Sequence, residues 1–129
     1  MTAPTIAPVT KRLSQEQVNK YADAADDHNP IHIDEAFAAA STFGGTIAHG
    51  MLVLAAISEM MAASLGEVWL KGGRLKVRFK APAKTADTVT ASATAQKSAD
   101  DGAYRYAVEC RNQDNEVLIS GMAQVPAGG

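Results

Sequence analysis

A single cysteine, Cys110, is all the thiol this 129-residue chain carries. That excludes an intrachain disulfide and any zinc or iron–sulfur site built on several cysteines. Aromatic residues are scarce too, at 5%, which leaves no stacking platform for single-stranded nucleic acid. Positive charge is not in excess: 12 Lys and Arg stand against 14 Asp and Glu, for a net charge of −2. No basic field exists to hold a phosphate backbone, so no nucleic-acid partner is expected. No apolar run reaches the roughly 20 residues of a membrane span. The opening MTAPTIAPVTKRLS lacks the basic start and apolar stretch of a secretory signal, so the expected setting is the cytoplasm, away from membranes. P-loop, G-x-G-x-x-G and G-x-S-x-G motifs are missing, which removes support for phosphate cradles and a serine elbow.

What is present is ordinary globular material, 47% hydrophobic, enough for one core without a metal or disulfide staple. A single domain over residues 1–129 is expected. Its ends, 1–9 and 126–129, read as loose, with 1–9 a frayed arm or a short edge strand. Ser14 and Gln17 make an S-x-x-Q capping box and Leu13 can staple onto Val18, so a helix starts at Ser14. Val18, Tyr21, Ala22 and Ala25 fall on one face of it. The pattern stops at Asp26–Asp27. Pro30 biases Asn29 towards extended backbone, and residues 27–33 read as a polar loop. Asp34 then caps a short helix to about Ser41, ended by Gly44–Gly45.

Residues 50–65, GMLVLAAISEMMAASL, are apolar or small almost throughout. They predict a helix buried on all sides, with Gly66 as its C′ residue and Met51, Met60 and Met61 in the core. After it the period changes to two. Leu75, Val77 and Phe79 alternate with Lys76, Arg78 and Lys80. Val89 to Ala95, Tyr104 to Cys110 and Val117 to Val125 supply three more alternating sets, with Cys110 a small core residue. Strands of this kind suit an antiparallel sheet with one face inward. The fold class is α+β: a sheet curled around a central helix. One small sheet covers such a helix incompletely, and a second subunit, making a homodimer, would cover the rest.

The densest chemical signal is Asp27-His28-Asn29-Pro30-Ile31-His32, with His49-Gly50 further on. A bent loop can aim Asp27 and His32 at one spot, and a carboxylate with an imidazole can handle protons on one water or substrate. Asn29 can hold the loop by hydrogen bonds. Gly50 opens the long helix, where its N–H is an orphan donor at the positive end of the dipole. Such a donor can stabilise an oxyanion, and glycine lets a carbonyl come close. The same residues also fit a plain connection between helices. His28, His32, Asp27 and Asp34 are potential metal ligands, but Pro30 forbids the regular helix that would make the i, i+4 histidines useful; no metal is expected.

The run YADAADDHNPIHIDEAFAAASTFGGTIAHGMLVLAAIS closely resembles the MaoC-like family of (R)-specific enoyl-CoA hydratases. That family's signature is D-x-N-P-[LIV]-H, then a short helix, then an H-G opening a long buried helix. Asp27, Asn29, Pro30, Ile31, His32, His49 and Gly50 meet it. Ala25-Asp26 depart from it, since the family often has Ser or Thr and Gly there. The resemblance implies a hot-dog fold and the reversible hydration of trans-2-enoyl-CoA to (R)-3-hydroxyacyl-CoA. Asp27 and His32 would be the catalytic dyad and Gly50 the oxyanion donor. Asn29, Ser58 and His49 would support the site, His49 as a structural residue. No cofactor is implied. Arg74, Lys76, Arg78 and Lys80 could touch the phosphates of coenzyme A, or could be only a solvated strand face. The competing readings are a dehydratase acting on an acyl carrier protein thioester, a hot-dog thioesterase, and a non-catalytic hot-dog subunit.

Overall fold

The computed structural model describes residues 2–97 and 101–127. In chain order these form β1 (Val9–Arg12), α1 (Gln15–Ala25), α2 (Pro30–Ile33), α3 (Glu35–Ala39), α4 (Gly50–Leu65), α5 (Glu67–Gly72), β2 (Arg74–Phe79), β3 (Thr88–Ala95), β4 (Ala103–Arg111) and β5 (Val117–Pro126). The strands make one sheet in the order β1-β3-β4-β5-β2, and every neighbouring pair is antiparallel. The sheet curls over α4, which touches β1, β3 and β4. Val53, Ala56, Ile57, Met60 and Met61 of the helix are buried against Val89, Ala91, Tyr106, Val108 and Ala123. Among the described residues no helix is long and apolar enough to cross a membrane.

Local chemistry accounts for the element starts. The Ser14 hydroxyl accepts the Gln17 N–H at 3.1 Å and caps α1, as a serine at this position should. The capping box is only half made, because Gln17 Oε1 is buried without a partner among the described residues. The Asp34 carboxylate accepts the Phe37 N–H and caps α3, which ends at Ala39, two residues short of Ser41. The central helix has the predicted bounds. At its end Gly66 takes φ 61° and ψ −133°, which turns the chain straight into α5. That second helix has no counterpart in the sequence reading, because its six residues are too few to show a period.

Three further expectations are corrected. The 27–33 segment is not all loop: Pro30 opens the short helix α2 with Asn29 as its cap, because a proline at the first helical position gives up only an N–H that would be unpaired anyway. The long helix is not buried all round, and Met51 is 57% exposed. The one-sided sheet reaches only part of its circumference. The leading arm is not loose along its length. Ile6 is buried in the core, the Pro4 carbonyl accepts the Tyr106 hydroxyl at 2.8 Å, and the Ala7 N–H donates to Ser64 at 3.1 Å. At the other end Pro126 closes β5 and the Ala127 N–H donates to Gly102; Met1, Gly128 and Gly129 lie outside the described residues.

Cys110 sits in β4 facing the core, and burial pushes its thiol up to about 11. It is an inert packing residue. A β-bulge follows it: Cys110 pairs with Ile119 but Arg111 with Val117. The extra residue, Leu118, is buried along with Ile119, and its carbonyl takes the Lys80 and Ala81 N–H groups at 2.8 and 3.3 Å. The bulge therefore fixes where β2 ends and the wall of the site begins.

Gly121 of β5 marks the closest approach in the sheet. A Cβ there would lie 2.1 Å from the Lys76 carbonyl oxygen and 2.7 Å from Val77 Cα, both backbone atoms that cannot step aside. Gly121→Ala should destabilise the fold by about 1–3 kcal/mol, the range for overpacking. Gly45→Ala, where a Cβ meets nothing within 4 Å, should change little. Urea unfolding of the two variants checks this.

Candidate active site

The aspartate of the loop is placed by the way α1 ends. Asp26 takes the left-handed conformation, φ 53°. Its N–H donates back to Asp23, and the Asp27 N–H donates to Ala22 at 3.0 Å. This is a Schellman ending, in which a glycine is usual at the left-handed position. Asp26 departs from the familial glycine in residue type only; the backbone bends as a glycine would, and aspartate is among the few residues that tolerate it. His28 points away, with Nε2 2.8 Å from Asp23 Oδ1. That hydrogen bond raises its pKa above the usual histidine value, and it takes no part in the site.

The Asn29 side chain accepts the Ile31 N–H at 3.2 Å, and the Asn29 backbone N–H donates to Asp27 Oδ1 at 3.4 Å. It thus starts α2 and steadies the carboxylate together. His32, on α2, bonds through Nδ1 to the Ile47 carbonyl at 2.8 Å. A carbonyl only accepts, so Nδ1 carries the hydrogen and the neutral ring keeps its lone pair at Nε2.

A second set of contacts positions the start of α4. The 46–48 segment runs beside 83–85: Ile47 bridges Lys84, and the Ala48 N–H donates to Ala83 at 2.8 Å. Gln15 ties this segment to the loop, donating to the His32 carbonyl at 2.9 Å and accepting the Thr46 hydroxyl at 2.8 Å. His49 comes next. It is 3% exposed, its Nε2 lies 3.0 Å from the Asp27 carbonyl, and its ring stacks on His32 with centroids 3.8 Å apart. The Tyr21 ring of α1 also packs against it, tilted, with centroids 4.7 Å apart. One donor atom each from Asp27, His32 and His49 lie within 4.8 Å of one another. A carboxylate and two imidazoles this close can share protons on one small molecule, and the same three groups are of the type that can ligate a metal ion.

His32 and Gly50 both line a cavity of about 330 Å³, walled by Val53, Phe79 and the 80–83 segment. Among the described residues no side chain caps α4, which leaves the Gly50 N–H available to a ligand. A Cβ on Gly50 would come within 3.0 Å of the Phe79 ring. Phe79 is itself 53% exposed; its place in the alternation suggested core, but at the strand's end it lies over the helix start instead.

Other expected site residues stand apart. Ser58 lies eight residues beyond Gly50, about 12 Å along the helix, and its hydroxyl accepts the Trp69 indole N–H at 3.1 Å. Arg74, Lys76 and Arg78 are exposed along β2; only Lys80 of that row reaches the cavity wall. Gln15, Tyr21 and Phe79 contribute to the site without having been singled out in the sequence. Gln15 and Tyr21 read there only as parts of α1, and nothing in their spacing marks them.

The MaoC like domain family matches residues 2–117. The chain belongs to that family. As a MaoC-like domain it carries the hot-dog fold, with the sheet curled round α4. It is 40% identical over 86 residues to the 3-hydroxyacyl-thioester dehydratase Z of Mycobacterium tuberculosis, a match over 64% of this chain that spans 57% of that protein's length. It is 33% identical over 119 residues to the 3-hydroxybutyryl-CoA dehydratase of Methylorubrum extorquens, covering 89% of this chain and 73% of that one. The solved (R)-hydratase from A. caviae involved in PHA biosynthesis superposes with a TM-score of 0.85 at 27% identity, over 98% of this chain and 97% of the other.

Proposed function

We propose that this MaoC-like domain catalyses the reversible addition of water to a trans-2-enoyl-CoA, giving the (R)-3-hydroxyacyl-CoA, with Asp27 and His32 as the catalytic pair. The observation that carries the reading is the convergence of Asp27 and His32 to within 4.8 Å beside a cavity that His32 shares with Gly50. The relatives named as 3-hydroxyacyl-thioester and 3-hydroxybutyryl-CoA dehydratases support the reaction class. The second of those names favours coenzyme A over an acyl carrier protein as the thiol.

In this proposal the Asp27 carboxylate and His32 Nε2 accept the two hydrogens of one water. The water oxygen bonds to the β-carbon of the enoyl group. The π electrons shift towards the thioester, whose oxygen becomes enolate-like and is held by the Gly50 N–H at the positive end of α4. One proton of the water passes through the pair to the α-carbon. Dehydration is the same path reversed. Water and the thioester complete the balance, so the reaction draws on no cofactor. The active unit is proposed to be a homodimer: Met51 and Phe79 are more than half exposed, and β2 is an edge strand whose outer side is unpaired among the described residues, which is a liability unless covered.

Three outcomes are expected. Asp27→Asn and His32→Gln should each lower kcat by at least about 10²-fold in an assay following enoyl-thioester absorbance, the scale of lost general acid–base catalysis. The double variant should lose little more than the worse single one, because the two act as a unit; full activity in either single variant rejects the pair. Gly50→Val should lower kcat/KM by at least about tenfold. A fully lost oxyanion donor costs about 10²–10³, while the helix-propensity change stays under about 1 kcal/mol. A Tm that collapses with activity would assign Gly50 to packing against Phe79 alone. Sedimentation velocity should show a dimer, and a stable, active monomer would overturn that assignment.

A further inference from the structure

We infer that His49 is a positioning residue that holds Asp27 and His32 in register with each other and with the Gly50 N–H. The inference rests on the hydratase reading for its kinetic consequence, but not for its structural one. Three contacts carry it. Through Nε2, 3.0 Å from the Asp27 carbonyl oxygen, the ring donates a hydrogen bond that ties the loop down at the residue bearing the carboxylate. Through its face, 3.8 Å from His32 and 24° from parallel, it backs the imidazole whose other restraint is the Ile47 carbonyl. Through the chain it is the residue immediately before Gly50, at the cap position of α4.

No single one of these makes His49 special; the combination does. A residue serving only the core would need neither a ring nitrogen nor a stacked partner. The donor duty of Nε2 leaves Nδ1 as the lone-pair nitrogen, and Nδ1 is buried with no hydrogen-bond partner among the described residues. An unpaired buried polar atom is a cost, and a phenylalanine would avoid it, so the ring nitrogen is kept for the Asp27 contact. Tyr21 packs against His49 on the side of α1, which limits its freedom to swing away. Misplacing reacting groups by about 1 Å can cost roughly 10²-fold in rate, so the loss of these restraints is measurable without touching either member of the pair.

The test uses three variants of the full chain, read by hydration kinetics and by NMR of His32. His49→Gln keeps an N–H able to reach the Asp27 carbonyl and removes the ring. His49→Phe keeps the ring and removes the donor. His49→Ala removes both. The expected result is a kcat at least about tenfold down in His49→Ala, with KM changed less than about threefold, and partial recovery in His49→Gln and His49→Phe. The His32 Hε1 line, shifted by the stacked ring, should keep a ring shift in His49→Phe, enlarged by the stronger ring current of phenyl, and lose it in His49→Gln. If the wild-type protein hydrates no enoyl thioester, the function reading fails, and the His32 line alone decides the positioning. Equal losses in all three variants, a loss carried by KM only, or a His32 line indifferent to the ring would each overturn the inference.

Discussion

The short pairing of residues 46–48 with 83–85 is the constraint on which the site depends. The Ala48–Ala83 and Thr85–Thr46 hydrogen bonds decide where the chain turns into α4. From that point the helix axis is set by its packing on the sheet, so the direction of the Gly50 N–H follows. The same pairing carries 80–83 across the opening of the helix as one wall of the cavity. Its other neighbour is the loop, through the Ile47 N–H to the Ile31 carbonyl and the His32 ring to the Ile47 carbonyl. Loop, helix start and cavity wall are thus fastened at one strip of three residues, not each to the core separately.

Gln15 shows how such a strip is made rigid. Its amide bonds the His32 carbonyl and the Thr46 hydroxyl, and Thr46 is also within 3.0 Å of the Thr85 hydroxyl. A partly buried polar network holds its geometry when its members are satisfied. This one lets the first residue of α1 sense both the histidine loop and the strip. The other end of α1 delivers Asp27 through the left-handed Asp26. One eleven-residue helix therefore spaces the two halves of the site.

Much of the fold was legible because it rests on short-range rules. Ser14 and Asp34 cap helices by bonding N–H groups three residues on, the 50–65 run has no polar residue that would break a helix, and the alternation from Leu75 onward reports a face. The loop and helix start were legible as a family motif, through Asp27, Asn29, Pro30, His32, His49 and Gly50. What escaped depends on distant partners. Pro30 is compatible with a loop or a first helical turn, and the cap that decides it is the Asn29 side chain. Met51 reads as core in any apolar helix; its exposure comes from the limited reach of five strands. The resemblance gave Ser58 a supporting role; that its hydroxyl accepts the indole N–H of Trp69 was not legible, because α5 has no period to reveal it.

Gly50 meets two demands that would pull in opposite directions for any other residue. The start of α4 must lie close under Phe79, where even a methyl group would press on the ring, and it must leave an N–H open to the cavity. Filling the contact with a side chain would close the opening, and moving Phe79 away would uncover more of an already exposed apolar edge. Glycine resolves the conflict by leaving the space to whichever ligand brings its own carbonyl. In the proposed hydration, the apolar wall supplied by Val53 and Phe79 would stand beside that carbonyl. A hydrogen bond to developing negative charge would be worth more beside such a wall than in open water, so the ring that crowds a side chain at residue 50 also flanks the backbone donor it leaves exposed.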